Sequence, residues 1–273
     1  MQLSRVARPQ NLREALGVAF VHRARTRWRA GTSRLLGLDY PGEPESDGFV
    51  VDVADIADFR EIRTEHETLR IGAFADPDHL RREPLIGSTF GKTSFAPDVI
   101  RFRLSALGAR LVIAGIGATR TAMLADVLGS DPSRPLAPSE IPLAVELQTR
   151  GGPSVSFGDR RLYRRDGDAS FDLRVYAALT LANHHKIETA TVGYAVDDAE
   201  LTPLSAVEAT LRGAQIARTT LAIASRHAAD VFHGDDVRTS TLRRTIIPLV
   251  LSTLKDAYAD ARAARTQREQ RRR

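Results

Sequence analysis

Apolar residues along the chain gather in two kinds of run. Short dense stretches, of the kind used by strands buried on both faces, are Val50–Val53, Leu69–Ala73, Leu111–Ala114, Phe171–Leu181 and Glu188–Ala195. Ile141–Gln148 alternates Leu143, Val145 and Leu147 and predicts another strand. Helices are predicted from Leu12, over Arg120–Leu128, Pro203–Leu211 and Gln215–Val231, and from Thr239 to Ala263. Asn11 with Glu14 three residues on has the form of a capping box at the first of these. Leu104–Ala109 reads as a helix end that feeds the strand at Leu111 through Gly108. Arg150–Asp159, RGGPSVSFGD, is rich in glycine and serine and marks a linker. Ala182–Lys186, between two strands, has hairpin character. The pattern predicts an α+β chain with one domain over residues 1–150, a second over 160–263 and an Arg-rich tail over 264–273.

One turn carries candidate chemistry. Ala30-Gly31-Thr32-Ser33 follows a short run that reads as a strand, and Leu35-Leu36 can open a helix. Such a turn can aim several backbone N–H groups at an anion, with glycine admitting close approach. The same residues also suit an ordinary strand-to-helix turn.

A collinear series of segments extends this picture. Arg8-Pro9 and Leu12-Arg13-Glu14-Ala15-Leu16 open it. Val50-Val51-Asp52-Val53 with Ile56, Phe59-Arg60-Glu61-Ile62 and Leu69–Phe74 follow. Then come Asp78-His79-Leu80, Pro84-Leu85-Ile86, Thr89-Phe90-Gly91-Lys92, Asp98, Leu104–Ala109, Ala137–Pro142 and Leu162–Arg165 before Phe171-Asp172-Leu173. Over residues 5–262 this series resembles the FAD-binding medium subunit of the molybdenum hydroxylases, the carbon-monoxide and xanthine dehydrogenase group. The resemblance implies a two-part FAD-binding domain followed by a small sheet backed by helices. It also implies FAD as cofactor, with iron–sulfur and molybdenum subunits as partners.

In that family an Ala-Gly-Gly-Thr-Asp/Asn-Leu loop cradles the FAD pyrophosphate. The ungapped match here is Ala30, Gly31, Thr32, Ser33, Arg34 and Leu35, with Thr32 at the second glycine and Arg34 at the acidic or amide position. The second family motif, Thr-Ile/Leu-Gly-Gly-Asn followed by an Asp, corresponds to Thr89, Gly91 and Lys92 with Asp98 as the acid. The stretch between Ile86 and Thr89 is shorter than in the family, which places a helix and an arginine-bearing turn there. In the second half Arg164 stands where the family has a lysine, and Asp168 where it has an arginine.

Composition narrows the partners. The chain has 273 residues, a formal net charge of +5 and no cysteine. Disulfides, thiolate zinc sites and cysteine-held iron–sulfur clusters are therefore excluded from this chain. Much of the positive charge lies in Arg262, Arg265, Arg268 and Arg271–Arg273, without aromatic residues to stack bases, so a solvated helix extension is expected and no nucleic-acid partner. The longest apolar run, Ile246–Leu251, contains Pro248 and is too short to span a bilayer, and MQLSRVARPQNLREAL has no signal-type apolar core. A cytoplasmic protein with no membrane partner is expected, and the Arg- and Ala-rich usage fits a GC-rich bacterial genome.

Other motifs read as ordinary structure. Gly87–Thr93 has GxxxGKT spacing, one residue short of a P-loop, and Ala96-Pro97 interrupts the helix a P-loop lysine would open. His184-His185 reads as a turn. His227 and His233 flank Asp230, with Asp235-Asp236 beyond, as a solvated helix end rather than a metal site. No nucleophile–histidine–acid set is present. Two functions stay open: an FAD-carrying electron-transfer subunit, or a flavin-free descendant whose vacated cleft takes another small molecule, as in a stand-alone cyclase or isomerase of specialised metabolism.

Overall fold

The structure, a computed structural model, describes residues 5–22, 26–29, 49–84, 97–128, 136–137, 140–149, 155–165, 170–182, 186–197, 199 and 201–271. The chain divides into two compact units, Met1–Gly152 and Pro153–Arg273.

The first unit begins with a three-stranded parallel sheet of β1 (Arg5–Ala7), β3 (Phe49–Asp52) and β2 (Thr26–Arg29), in that spatial order. Helix α1 (Leu12–His22) lies between β1 and β2 in sequence. Its cap forms as the sequence predicts: the Glu14 amide donates to Asn11 Oδ1 at 2.9 Å, and the Glu14 carboxylate accepts from the Gln10 amide at 2.9 Å. Ala15 and Ala19 are fully buried, and these small side chains let the helix lie close to Trp28, Val51 and Val53.

The chain then builds a five-stranded antiparallel sheet, ordered β4 (Ile62–Glu65), β5 (Thr68–Gly72), β8 (Ile141–Gln148), β6 (Arg110–Gly115) and β7 (Ala118–Met123). One face carries Leu69, Ile71, Leu111, Ile113, Val145 and Leu147, packed with Leu80 of α2 (Pro77–Arg82), Ile100 and Leu104 of α3 (Pro97–Ala106) and Leu124 of α4 (Leu124–Leu128). The other face gives Val112, Ala114, Ile141, Leu143 and Ala144 to the core that holds Trp28 and Val51. Burial on both faces is why β6 and β8 read as continuous apolar runs. Pro142 has no N–H for the ladder, and the β6–β8 register shifts between Val112 and Ile113, beside it.

Two glycines here are needed for geometry. Gly108, at φ +74°, ends α3: Ala109 N–H donates to Leu104 O at 2.9 Å and Gly108 N–H to Ser105 O at 3.0 Å, a Schellman closure that turns the chain into β6. A Cβ on Gly72 would stand 2.4 Å from the Phe59 carbonyl carbon, so only glycine lets β5 meet that turn.

The second unit is a four-stranded antiparallel sheet, ordered β12 (Thr202–Pro203), β11 (Ile187–Val196), β10 (Phe171–Leu181) and β9 (Val155–Arg164). Alternate residues Phe171, Leu173, Val175, Ala177 and Leu179 of β10 enter one core with α5 (Ser205–Leu211), α6 (Arg218–Arg226) and α7 (Val237–Arg271). Leu242, Ile246, Val250, Leu254 and Ala257 supply the helical stripe.

Three local readings need correction. Arg120–Leu128 is not one helix: Ala118–Met123 is the edge strand β7, and helix begins at Leu124. β7 is almost wholly exposed, so it has no apolar alternation to announce it. The linker reading of Arg150–Asp159 fails from Val155 onward, where β9 begins; its glycine serves packing rather than flexibility. Gln215–Val231 is helical only over Arg218–Arg226, followed by a 3-10 turn at His227–Val231.

Candidate functional site

The three parallel strands β1, β3 and β2 end side by side, and the carboxyl end of such a sheet is where open α/β folds bind ligands. The segment Ala30–Leu35 leaves from that end of β2, and its own residues lie outside the described residues, as do Thr89, Gly91, Lys92, Asp168, His184, His185 and the P-loop-like Gly87–Thr93. The Val53 amide donates to Arg29 O at 2.7 Å, and Arg29 Nη2 donates to Asp52 Oδ2 at 2.6 Å. Asp52 Oδ1 accepts from the Ala54 amide at 3.2 Å. Burial alone would push the Asp52 carboxyl up, but Arg29, the Ala54 amide and the charge of Arg8 outweigh it and hold Asp52 below the ordinary carboxylate value. The strand end is thus fixed and its arginine paired.

Trp28, two residues before Ala30, is 7% exposed, and its indole N–H has no acceptor among the described residues. A buried donor without an acceptor costs about 1–3 kcal/mol, so this position is not explained by packing alone.

Asp98 is the second residue of α3. Arg164 is an exposed residue at the end of β9, paired in register with Phe171 of β10, and belongs to the second unit. Beside it the sheet carries a network that the motif reading missed. Asp172 accepts two hydrogen bonds from Arg161, at 2.8 and 2.7 Å, and two from Arg174, at 3.1 and 2.8 Å. Those contacts, Arg161 foremost, hold the Asp172 carboxyl below its ordinary value. The register Asp172↔Tyr163 and Arg174↔Arg161 is the signal that would have found this network. In the first unit Arg120 makes a bidentate pair with Glu140, at 2.6 and 2.8 Å.

His227 Nδ1 lies 3.5 Å from Asp230, and among the described residues no group of three His, Asp or Glu side chains is placed to hold a metal ion. Among them, too, no helix is long and apolar enough to cross a membrane.

The fold was compared with solved structures. A chain of carbon monoxide dehydrogenase from Hydrogenophaga pseudoflava aligns at a TM-score of 0.68 and 17% identity, covering 94% of this chain and 98% of that one. The fold is that of the molybdenum-hydroxylase FAD-binding subunit. A chain of quinoline 2-oxidoreductase from Pseudomonas putida 86 aligns at 0.63 and 18%, covering 93% and 98%. A chain of reconstituted carbon monoxide dehydrogenase from Oligotropha carboxidovorans aligns at 0.67 and 17%, covering 94% and 98%. No protein-family model and no curated protein sequence matches the chain.

Proposed function

We propose that this protein is an FAD-carrying electron-transfer subunit of a molybdenum-hydroxylase-type oxidoreductase, acting in the cytoplasm beside iron–sulfur and molybdenum chains. The observation that supports the reading is the parallel sheet β1-β3-β2, whose strand β2 ends at Arg29, immediately before Ala30–Leu35 in the sequence. The donor set fits a pyrophosphate, whose oxygens only accept: hydroxyls of Thr32, Ser33 and Thr89, the cations Arg34 and Lys92, and the backbone N–H groups around Gly31 and Gly91. No carboxylate stands within either loop. In this reading Gly31 admits the phosphate to the backbone, Arg34 and Lys92 neutralise its charge, and the Arg29–Asp52 pair keeps β2 in place under the load. When bound, flavin supplies the redox chemistry itself, passing electrons between an iron–sulfur centre and a final acceptor. Having no cysteine, this chain leaves any iron–sulfur centre to a partner.

A second reading is favoured by one specific feature. Thr32 puts a Cβ where the family has its second glycine, and the Ile86–Thr89 stretch is shortened. Both changes suit a flavin-free descendant that uses the cleft for another small molecule, either as a stand-alone enzyme or as a binding protein.

The visible spectrum of the purified protein separates the two. A flavin band released on denaturation, lost in Gly31→Trp without change in circular dichroism, is the result expected for the first reading. A colourless protein whose thermal midpoint ignores saturating FAD overturns it, because any ligand of the native state raises that midpoint by mass action.

A further inference from the structure

Along α1 and the end of β1 runs an open surface groove of about 500 Å³, the volume of a small-molecule site. Its described walls include Arg8 and Pro9 just after β1, Gly17, Val18 and Val21 along α1, and Phe49 at the start of β3. We propose that this groove binds an elongated, apolar aromatic carboxylate.

Four observations point to that class. Gly17 sits at an exposed position inside α1, where glycine is a poor choice relative to alanine, and a Cβ there would meet nothing within 4 Å. No described neighbour demands the glycine; what its missing side chain provides is room on the floor of the groove. Val21 is 73% exposed on the same wall, an apolar surface without a protein partner in view. At one end His22 stacks on Phe49, with ring centroids 3.7 Å apart and planes 7° from parallel, so a flat aromatic surface is already built for another ring to extend. At the other end Arg8 is exposed; its charge acts on Asp52, but among the described residues it makes no ion pair within 4 Å.

Glu14 also lines the groove, where its carboxylate helps cap α1. Both its oxygens are engaged, Oε2 by the Gln10 amide and Oε1 by Asn11 Nδ2, each at 2.9 Å. From Glu14 to His22 the helix rises about 12 Å, so a ligand that reaches from Arg8 to the His22–Phe49 stack is about two rings long with the carboxylate at its end.

Biphenyl-4-carboxylate has that shape and is the probe. Binding is followed by titration calorimetry and by the emission of Trp28, the chain's one tryptophan, whose core is packed by Val18 and Phe49. One saturable site is expected, with a Kd below about 1 mM. Arg8→Gln should weaken it at least about tenfold, as should replacing the probe by the uncharged biphenyl-4-carboxamide. Gly17→Leu should abolish saturable binding while circular dichroism stays as in the wild type. Absence of saturation in the wild type overturns the proposal, and so does unchanged affinity in either variant or for the carboxamide. FAD content does not enter the outcome, so the test stands apart from the flavin reading.

Discussion

Gly158 of β9 lies directly beneath α7, and replacing it with alanine is a severe perturbation for one carbon atom. The added Cβ would stand 2.2 Å from the Thr253 carbonyl oxygen and 2.9 Å from the Ala257 amide nitrogen. Both are backbone atoms of the helix, so no side-chain rotation relieves them. Ordinary contact begins at 3.4 Å, which obliges helix and strand to separate by about 1 Å, a gap that forfeits a quarter to a half of each dispersion contact. The contacts at risk belong to the stripe of Leu242, Ile246, Val250, Leu254 and Ala257, the principal helical contribution to this core. We expect Gly158→Ala to cost about 3 kcal/mol, the upper end of ordinary overpacking. For a unit the size of Pro153–Arg273, that lowers the thermal midpoint by about 10 °C. The assay is differential scanning calorimetry, with urea unfolding followed by circular dichroism as the second measure. Gly17→Ala is the counter-case: with nothing near its Cβ, it should gain about 0.5–1 kcal/mol. A Gly158→Ala protein that melts within about 2 °C of the wild type would refute the close helix–strand approach.

Asn11→Ala removes the acceptor for the Glu14 amide and should destabilise the first unit by about 1 kcal/mol, read as a shift in the urea midpoint. Asp172 has a folded pKa below its ordinary 3.8, so its contribution is present above that value and lost as pH falls through the folded one. Asp172→Asn should therefore lower stability at neutral pH and flatten the acid limb of midpoint against pH. Glu208 has the opposite sign: burial foremost raises its carboxyl above 4.5, against the Val192 amide, which donates to it at 2.8 Å. The folded state then holds the proton more tightly, and stability falls as pH rises from about 4.5 through the raised value. Glu208→Gln keeps an acceptor for Val192 and should melt higher than the wild type at pH 7, with the difference vanishing near pH 4; equal midpoints at pH 7 would count against it.

The elements that the apolar pattern announces are those buried where the pattern is simplest. Ile141–Gln148 and Phe171–Leu181 form strands over the residues expected, because each carries enough buried side chains to impose its period. Gly108 is legible for a local reason: a left-handed residue is needed wherever a helix must turn straight into a strand. The edge strands escape. Ile62–Glu65 and Ala118–Met123 show mostly exposed side chains, and what makes them strands is pairing to β5 and β6, which distant residues supply. RGGPSVSFGD misleads for the reverse reason: Gly158 looks like slack in the chain and is a point where β9 and α7 approach too closely for a side chain.

The candidate site divides along the same physical line. Gly31, Ser33, Arg34 and Lys92 are proposed on residue type alone, glycine and donors, and lie outside the described residues. The clamp at the end of β2 is not legible in that way, because Arg29 and Asp52 are distant in sequence and meet only when β2 and β3 pair in parallel. That clamp bears on function. From the sequence Arg29, just before Ala30–Leu35, could be taken for a phosphate ligand; paired with Asp52 it is a strut instead. The groove along α1 is harder still to read, since its chief sign is a side chain that is missing. In the sequence Gly17 is a weak point in a helix; with Val21, Phe49 and Arg8 around it, the same residue becomes the space in which a ligand ring can lie.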